Sequence, residues 1–394
     1  MSVTVEEWDD PASNKQQQYL THGAFRYFGK LPPTVTARIL DELGIRRGKF
    51  VVDVMCGSGT TLVESGLRGA SATGIDCNDI SALVSRVKTT PIHAYKAGAL
   101  LKAFDKVFGG MLPYQYLDEA PSKTVAAIGI LARRPPPVIR NFDHWFTADS
   151  AAVLCSLRDW IGTLKPGPTR DLARVAFAAS IRTCSQASVR TGRLFRDVDK
   201  RLPNPVSEVR KRITKLSEAV SSLSTEPRWR SDAIRVVVGD ARATGLPKEK
   251  ADLVFCHPPY FALYRYSSDV LRFEMDWIGV DRKAVGKREI VDGFKTTDET
   301  LVAEHVADLV AVAREARRIS APGGHLVFVT ADSSLRKQRL AIIEPLIKGT
   351  IGEGWRLVRR ARRKVRFAQA SYHKSADAEI QRTEDEVLIF ARRK

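Results

Sequence analysis

Two short stretches of the chain carry residue types that can do chemistry. The first is Asp53-Val54-Met55-Cys56-Gly57-Ser58-Gly59-Thr60-Thr61, placed where an apolar β-branched run turns into a helical pattern. Gly57 and Gly59 let the backbone approach a ligand closely, and the helix N-terminus that follows offers unpaired N–H groups to an anionic group. The second is Cys256-His257-Pro258-Pro259-Tyr260, after another apolar run. Two consecutive prolines fix the chain, remove two N–H donors and leave backbone carbonyls as rigid acceptors. That suits an amine substrate. The exocyclic amine of cytosine or adenine is a poor nucleophile because its lone pair is conjugated with the ring. Acceptors for its hydrogens draw the nitrogen toward tetrahedral geometry and stabilise the charge that develops as a methyl group arrives. Tyr260 offers a ring for an extruded base to stack on, since a base inside a duplex is out of reach until it is flipped.

The glycine turn lacks the third glycine of the dinucleotide fingerprint and the Gly-Lys-Ser/Thr of a triphosphate loop, so neither ligand is its natural guest. A smaller, carboxylate-bearing nucleoside such as S-adenosylmethionine fits better. Asp53 and the turn residues Cys56, Gly57, Ser58, Gly59, Thr60 and Thr61 then hold its amino-acid part. Asp76 accepts from the ribose hydroxyls, and Asp240 faces the adenine amine. Singly, these acids read equally well as a helix cap, a turn residue and a loop start; at three strand ends of one sheet they read as one site. Tyr27 and Lys30, in Thr21 to Pro33, add an aromatic and a basic group to that site, or else belong to a strap packing against the sheet.

The elements that must position these residues are those of an α/β fold with a mostly parallel sheet. Strands are expected over Phe50–Met55, Ser71–Asp76, Ile234–Asp240, Ala251–Cys256 and Gly324–Thr330, and a closing antiparallel pair over Trp355–Phe367 and Glu386–Ala391. The ligand site belongs at the carboxyl ends of the first few. Between Asp76 and Val236 lies far more chain than the about 30 residues of a βαβ crossover. Its Pro-rich connector and helical apolar spacing predict a mainly helical insertion, residues 91–230, set into a catalytic domain of residues 1–90 and 231–394.

The 394 residues are 44% hydrophobic and 27% charged, which excludes general disorder. The five cysteines are widely spaced and form no C-x-x-C, which argues against a disulfide framework and a zinc site; no metal is expected, and a reducing cytoplasm is the default location. No apolar run approaches the roughly 18 residues of a membrane span, and the polar, acidic start is unlike a signal peptide. With 63 Lys and Arg against 45 Asp and Glu, the net charge of +18 makes a polyanion the leading partner. The basic residues cluster in the insertion (Arg190, Arg193 and Arg196 among them, with Arg182, Lys200, Arg201, Arg210 and Arg212) and in the late hairpin (Arg359, Arg360, Arg362 and Arg363). Half are expected on a solvated face and half on phosphates. Arg265, after the Pro-Pro-Tyr loop, is either a contact to the displaced strand or part of an inward-packing helix.

Taken together, DVMCGSGTT and the distant HPPY resemble the amino-methyltransferases acting on DNA, which carry a D-P-F-C-G-S-G-type turn and a D/N/S-P-P-Y/F/W loop. FRYFGKLPP is similar to their N-terminal cofactor-binding segment. PPYFALYRYSSDVLRFEMDWIG, the Pro-Gly-Gly strand entry and the closing EDEVLIFARR are similar to the N4-cytosine subgroup. The resemblance covers residues 21–90 and 234–394. It implies a Rossmann-like, seven-stranded methyltransferase sheet and S-adenosylmethionine as donor. It further implies His257, Pro258, Pro259 and Tyr260 as the catalytic loop, DNA as the partner, cytosine N4 ahead of adenine N6 as the target, and a cognate restriction or defence system beside it. Two positions depart from the pattern. His257 stands where the family has Asp, Asn or Ser; it accepts from the amine when neutral, or the Pro258 carbonyl does so alone, or the chain is an inactive nucleic-acid-binding module. Val54-Met55 replaces Pro-Phe, and related turns occur in RNA guanine-N2 methyltransferases, so RNA is the alternative substrate.

Overall fold

The computed structural model describes residues 3–10, 12–13, 15–190, 192, 194–262, 265–292, 298–335, 338–364 and 384–393. Its strands are β1 (Val5–Trp8), β2 (Phe50–Asp53), β3 (Ser71–Asp76), β4 (Ile234–Val238), β5 (Ala251–Cys256), β6 (Ser320–Thr330), β7 (Ser333–Leu335), β8 (Gln338–Leu340), β9 (Trp355–Lys364) and β10 (Glu384–Arg392). All but the small β7–β8 hairpin form one sheet of order β1-β9-β10-β6-β5-β2-β3-β4. The five strands from β4 to β6 pair in parallel, and β10 runs antiparallel between β6 and β9. Apart from β1, this is the seven-stranded methyltransferase arrangement that the sequence implies.

Chain order reverses between β2 and β5: β3 and β4 extend the sheet to one side, β5 and β6 to the other. At such a switch point the loops leaving the two central strands part and open a crevice at their carboxyl ends. The glycine turn leaves β2 there, and the Pro-Pro-Tyr loop leaves β5.

The eighth strand corrects the expectation of seven. A four-residue run has too short an alternation to announce a strand, and β1 is held by its partners. It pairs in parallel with β9, its buried Trp8 lies under the Arg38 guanidinium at 3.9 Å, and Glu6 accepts from Arg359. A second correction concerns β6, which starts at Ser320 and runs through Pro322 and Gly323 instead of starting at Gly324.

Helices Pro33–Glu42, Thr60–Leu67, Asp79–Thr89, Glu299–Ile319 and Ile343–Gly352 flank the sheet. Residues 91–230 contribute six α-helices and, among the described residues, no strand to the sheet. The longest are Ala94–Phe108, Ala148–Thr163, Pro168–Ile181 and Pro205–Ser222. Their apolar faces share one core with helix Asp79–Thr89 and helix Arg272–Ile278, in which Leu83, Phe104, Leu154, Phe177, Val209 and Trp277 belong to one buried cluster. At about 1.5–3 kcal/mol per fully buried large apolar side chain, that shared core fastens these helices to the helix behind the glycine turn.

Candidate active site

The glycine turn is shaped by backbone demands that only glycine meets at two positions. Gly57 and Gly59 have φ of +49° and +76°. A Cβ at Gly59 would lie 2.9 Å from Ser85 Oγ, and one at Gly57 would lie 3.2 Å from the Tyr27 ring. Helix Asp79–Thr89 clamps the turn from behind: Ser85 Oγ donates to the Gly57 carbonyl at 2.8 Å and the buried Lys88 Nζ to the Ser58 carbonyl at 2.5 Å. Burial pushes the Lys88 ammonium well below its ordinary value.

Two carboxylates converge on this turn. Asp53, at the end of β2, accepts from Met55 N at 3.1 Å; burial, with a smaller push from Asp76, raises its pKa to about 7 against the Thr61 and Met55 hydrogen bonds. Asp76, at the end of β3, accepts from Gly57 N at 2.8 Å and Asn78 N at 2.9 Å, and burial raises it to about 6. Asp240 lies past the end of β4, but Arg242 takes both its oxygens, at 2.7 and 2.9 Å, so it meets any ligand as half of an ion pair. Against the turn, Tyr27 stacks on Tyr266 at 5.4 Å and bonds Ser81 Oγ at 2.9 Å. Lys30 donates to the His22 carbonyl at 2.9 Å, and burial lowers its pKa to about 8.

The Pro-Pro-Tyr loop closes the same cleft. Every expected cofactor residue except Gly59 lines it, together with His257, Pro258, Pro259, Tyr260 and Arg265. His257 Nε2 and Tyr260 Oη are 3.0 Å apart, and Tyr260 donates to Asp385 Oδ2 at 3.1 Å. Cys56 and Cys256 are buried, and burial pushes both thiols well above their ordinary value, which suits core residues and not nucleophiles. Among the described residues no group of side chains is arranged to hold a metal ion, and no helix is long and apolar enough to cross a membrane.

Sequence reasoning missed the segment that roofs the cleft. Arg288, Glu289, Ile290 and Asp292 line it, with Glu289 accepting from Ser267 N at 2.9 Å and Asp292 from Ala262 N at 2.7 Å. The segment has no periodicity or motif, so no sequence signal marks it. Asp385 was missed too, because its partner Tyr260 is brought to it only by the pairing of β10 with the sheet.

The basic residues fall out differently from the expectation. In the late hairpin, β9 lies between two acidic strands. Arg362 faces Glu7, Glu384 and Glu386, Arg359 faces Glu6 and Glu42, and Arg360 faces Glu344 and Glu386. Arg363 is buried against Asp385. Cross-strand register makes the pairs with Glu6, Glu7, Glu384, Asp385 and Glu386, while Glu42 and Glu344 reach in from flanking helices, so Arg362 and Arg363 are not open phosphate contacts as expected. In the insertion, the buried Arg182 donates to the Ser188 and Gly192 carbonyls, and Lys200 donates to those of Arg182, Ser185 and Ala187. These two cations hold a loop from beneath. Arg190 and Arg196 on that loop are exposed, and Arg193 lies outside the described residues. Arg26, beside the cofactor wall, donates to the Val189 and Arg190 carbonyls and ties the loop to the cleft. Arg265 pairs with Asp292 at 3.2 Å.

No protein-family model matches the chain. The type II methyltransferase M.MjaII of Methanocaldococcus jannaschii is 33% identical over 98 residues, which cover 24% of this chain and 18% of that protein. The type II methyltransferase M.MvaI of Kocuria varians is 25% identical over 169 residues, covering 42% of this chain and 35% of that protein. The chain thus spans about a fifth to a third of the length of these relatives. Among solved structures, geranyl diphosphate C-methyltransferase from Streptomyces coelicolor A3(2) superposes over 98% of this chain and 84% of its own, with a TM-score of 0.36 and 9% identity.

Proposed function

We propose that this chain transfers a methyl group from S-adenosylmethionine to the exocyclic amine of a base in DNA, cytosine N4 ahead of adenine N6. One observation carries the reading. The glycine turn with its two buried carboxylates and the His-Pro-Pro-Tyr loop, about 200 residues apart in sequence, line a single cleft at the switch point of the sheet. The two curated relatives, both named as type II methyltransferases, support the same reaction class.

The cleft suits the cofactor. Buried polar atoms without a partner, Ser58 Oγ, Thr60 Oγ1 and Asn78 Nδ2, sit in the wall beside the turn. Such atoms cost roughly 1–3 kcal/mol each until a polar ligand meets them. Asp53 and Asp76 make a buried negative pair, which a ligand bearing an ammonium and a sulfonium relieves. When bound, S-adenosylmethionine supplies an activated methyl group. The chain's own residues then do the remainder. Tyr260 stacks on the flipped base, and the Pro258 carbonyl and His257 accept from its amine while that nitrogen becomes tetrahedral. The exposed Arg190 and Arg196 neutralise phosphates beside the cleft.

Incubating the protein with radiolabelled S-adenosylmethionine and, in separate reactions, duplex DNA, single-stranded DNA and structured RNA tests this. Label is expected in DNA. Label in RNA alone would move the substrate to RNA, and label in none of the three would make the chain a binding module.

A further inference from the structure

His257 stands where the resembled enzymes have an oxygen-bearing side chain, and an imidazole meets the same need only if the correct nitrogen carries the lone pair. We propose that Arg363, Asp385 and Tyr260 form a relay that fixes the His257 proton on Nε2, so that Nδ1 is the nitrogen that accepts from the target amine. The inference deepens the methyl-transfer reading and rests on it for the identity of the amine.

The relay can be followed atom by atom. Asp385 and Arg363 face each other across the β9–β10 pair, at 2% and 6% exposure. Arg363 Nε donates to Asp385 Oδ1 at 3.0 Å, and a second guanidinium nitrogen donates to Oδ2. A carboxylate in a buried, two-point ion pair has no proton to give, so it can only accept. Tyr260, 3.1 Å from Oδ2, must therefore be the donor. With its one proton committed, the phenol presents only lone pairs to His257 Nε2 at 3.0 Å, and Nε2 must donate in turn. The rings meet edge to face, at 79° and 5.3 Å between centroids. A neutral imidazole has one N–H, so its lone pair is on Nδ1.

The consequence for the reaction is a proton with a defined destination. As the amine nitrogen bonds to the methyl carbon, the carbon–sulfur bond of the donor breaks and its electron pair stays on sulfur. The surplus proton on nitrogen passes to Nδ1, giving an imidazolium that Nε2–H, Tyr260 and the Asp385 carboxylate steady, and it then leaves to solvent. Tyr260 comes from the loop after β5, whereas Asp385 and Arg363 come from the last two strands. The C-terminal hairpin thus positions a group in the catalytic loop. Asp385 and Arg363 are positioning residues: Asp385 touches Tyr260, Arg363 touches Asp385, and both act on the substrate only through Tyr260 and His257.

Nitrogen-15 NMR of the full chain labelled at histidine tests the relay without substrate. The His257 signals are identified by their loss in His257→Asn. At pH 8, above the ordinary imidazole range of about 6.5, His257 is expected to show a protonated Nε2 and an unprotonated Nδ1. Tyr260→Phe keeps the ring and leaves the Arg363–Asp385 pair intact, but removes the acceptor from Nε2. It is expected to redistribute the proton toward Nδ1 and to lower kcat by roughly 10- to 100-fold with little change in the KM for S-adenosylmethionine. A wild-type spectrum with the proton on Nδ1, or one that Tyr260→Phe leaves unchanged, overturns the relay. Loss of the methyl-transfer reading would show separately, as no transfer from the wild type.

Discussion

Replacing Asp53 by Asn should make the ligand-free protein more stable while weakening its hold on the cofactor. Asp53 is 3% exposed, lies near a second buried carboxylate, and has a pKa raised from 3.8 to about 7 by burial, against the Thr61 and Met55 hydrogen bonds. A raised folded-state value means that the folded protein binds the proton more tightly than the unfolded chain does. The stability this confers is present in full below pH 3.8 and is lost as the pH rises through 7. At about 1.36 kcal/mol per unit, the cost is about 4 kcal/mol at pH 8, where folded Asp53 stays ionised, and under about 2 kcal/mol at pH 5, where it takes up a proton on folding. Asn removes that cost at either pH and preserves the contacts, because its carbonyl can accept from Met55 N while its amide donates to the Thr61 hydroxyl. Urea denaturation of both proteins without ligand, at pH 5 and pH 8, reads the difference. The Asp53→Asn protein should gain stability at both, by about 2–3 kcal/mol more at pH 8, and calorimetric titration should show weaker binding of S-adenosylmethionine at pH 8. A gain that does not change with pH, or a loss of stability at pH 8, would refute the reasoning that Asp53 is a buried charge held for a cationic ligand.

Three further outcomes follow from the packing. Gly59→Ala must place a Cβ 2.9 Å from Ser85 Oγ at a φ of +76°, and should cost about 1–3 kcal/mol in denaturation and abolish cofactor binding in titration. Substituting Arg190 and Arg196 by Ala should lower the slope of log Kd for DNA against log salt by about 0.9 for each phosphate that is no longer neutralised. Arg362→Ala, whose guanidinium is spent on Glu7, Glu384 and Glu386, should leave the slope unchanged in the same filter-binding series. His22, buried against Glu64 with its pKa lowered by burial to about 4, binds protons less tightly when folded. It should therefore remove about 3 kcal/mol of stability as the pH falls from 6.5 to 4, a loss that His22→Gln abolishes in acid denaturation.

The central strands β2, β3 and β5 were legible because each is a mostly buried apolar run leading into a polar turn, a pattern that needs no partner to be seen, whereas β4 lies at the sheet edge with Val237 and Val238 exposed. The turn at Gly57 and Gly59 was legible for a related reason: a positive φ next to a clamping helix admits glycine alone. What the sequence hid depended on partners remote in the chain. Trp8 counts as strand only beside β9, Arg363 becomes a buried ion only opposite Asp385, and Lys200 turns inward only because three carbonyls of one loop converge on it. The surplus of +18 therefore said nothing about which arginines are open, since it fixes only the number of cations left over and the fold decides which ones are paired.

The central claim is that the two walls of one cleft bring a methyl donor to a base amine. The most direct test is nucleoside mass spectrometry of duplex DNA after incubation with the purified protein and S-adenosylmethionine carrying a deuterated methyl group. The account predicts a deuterated N4-methylcytosine peak that is lost in Asp53→Asn and in Pro258→Ala. A deuterated methyl group on a carbon of the base, or none on DNA at all, would contradict it.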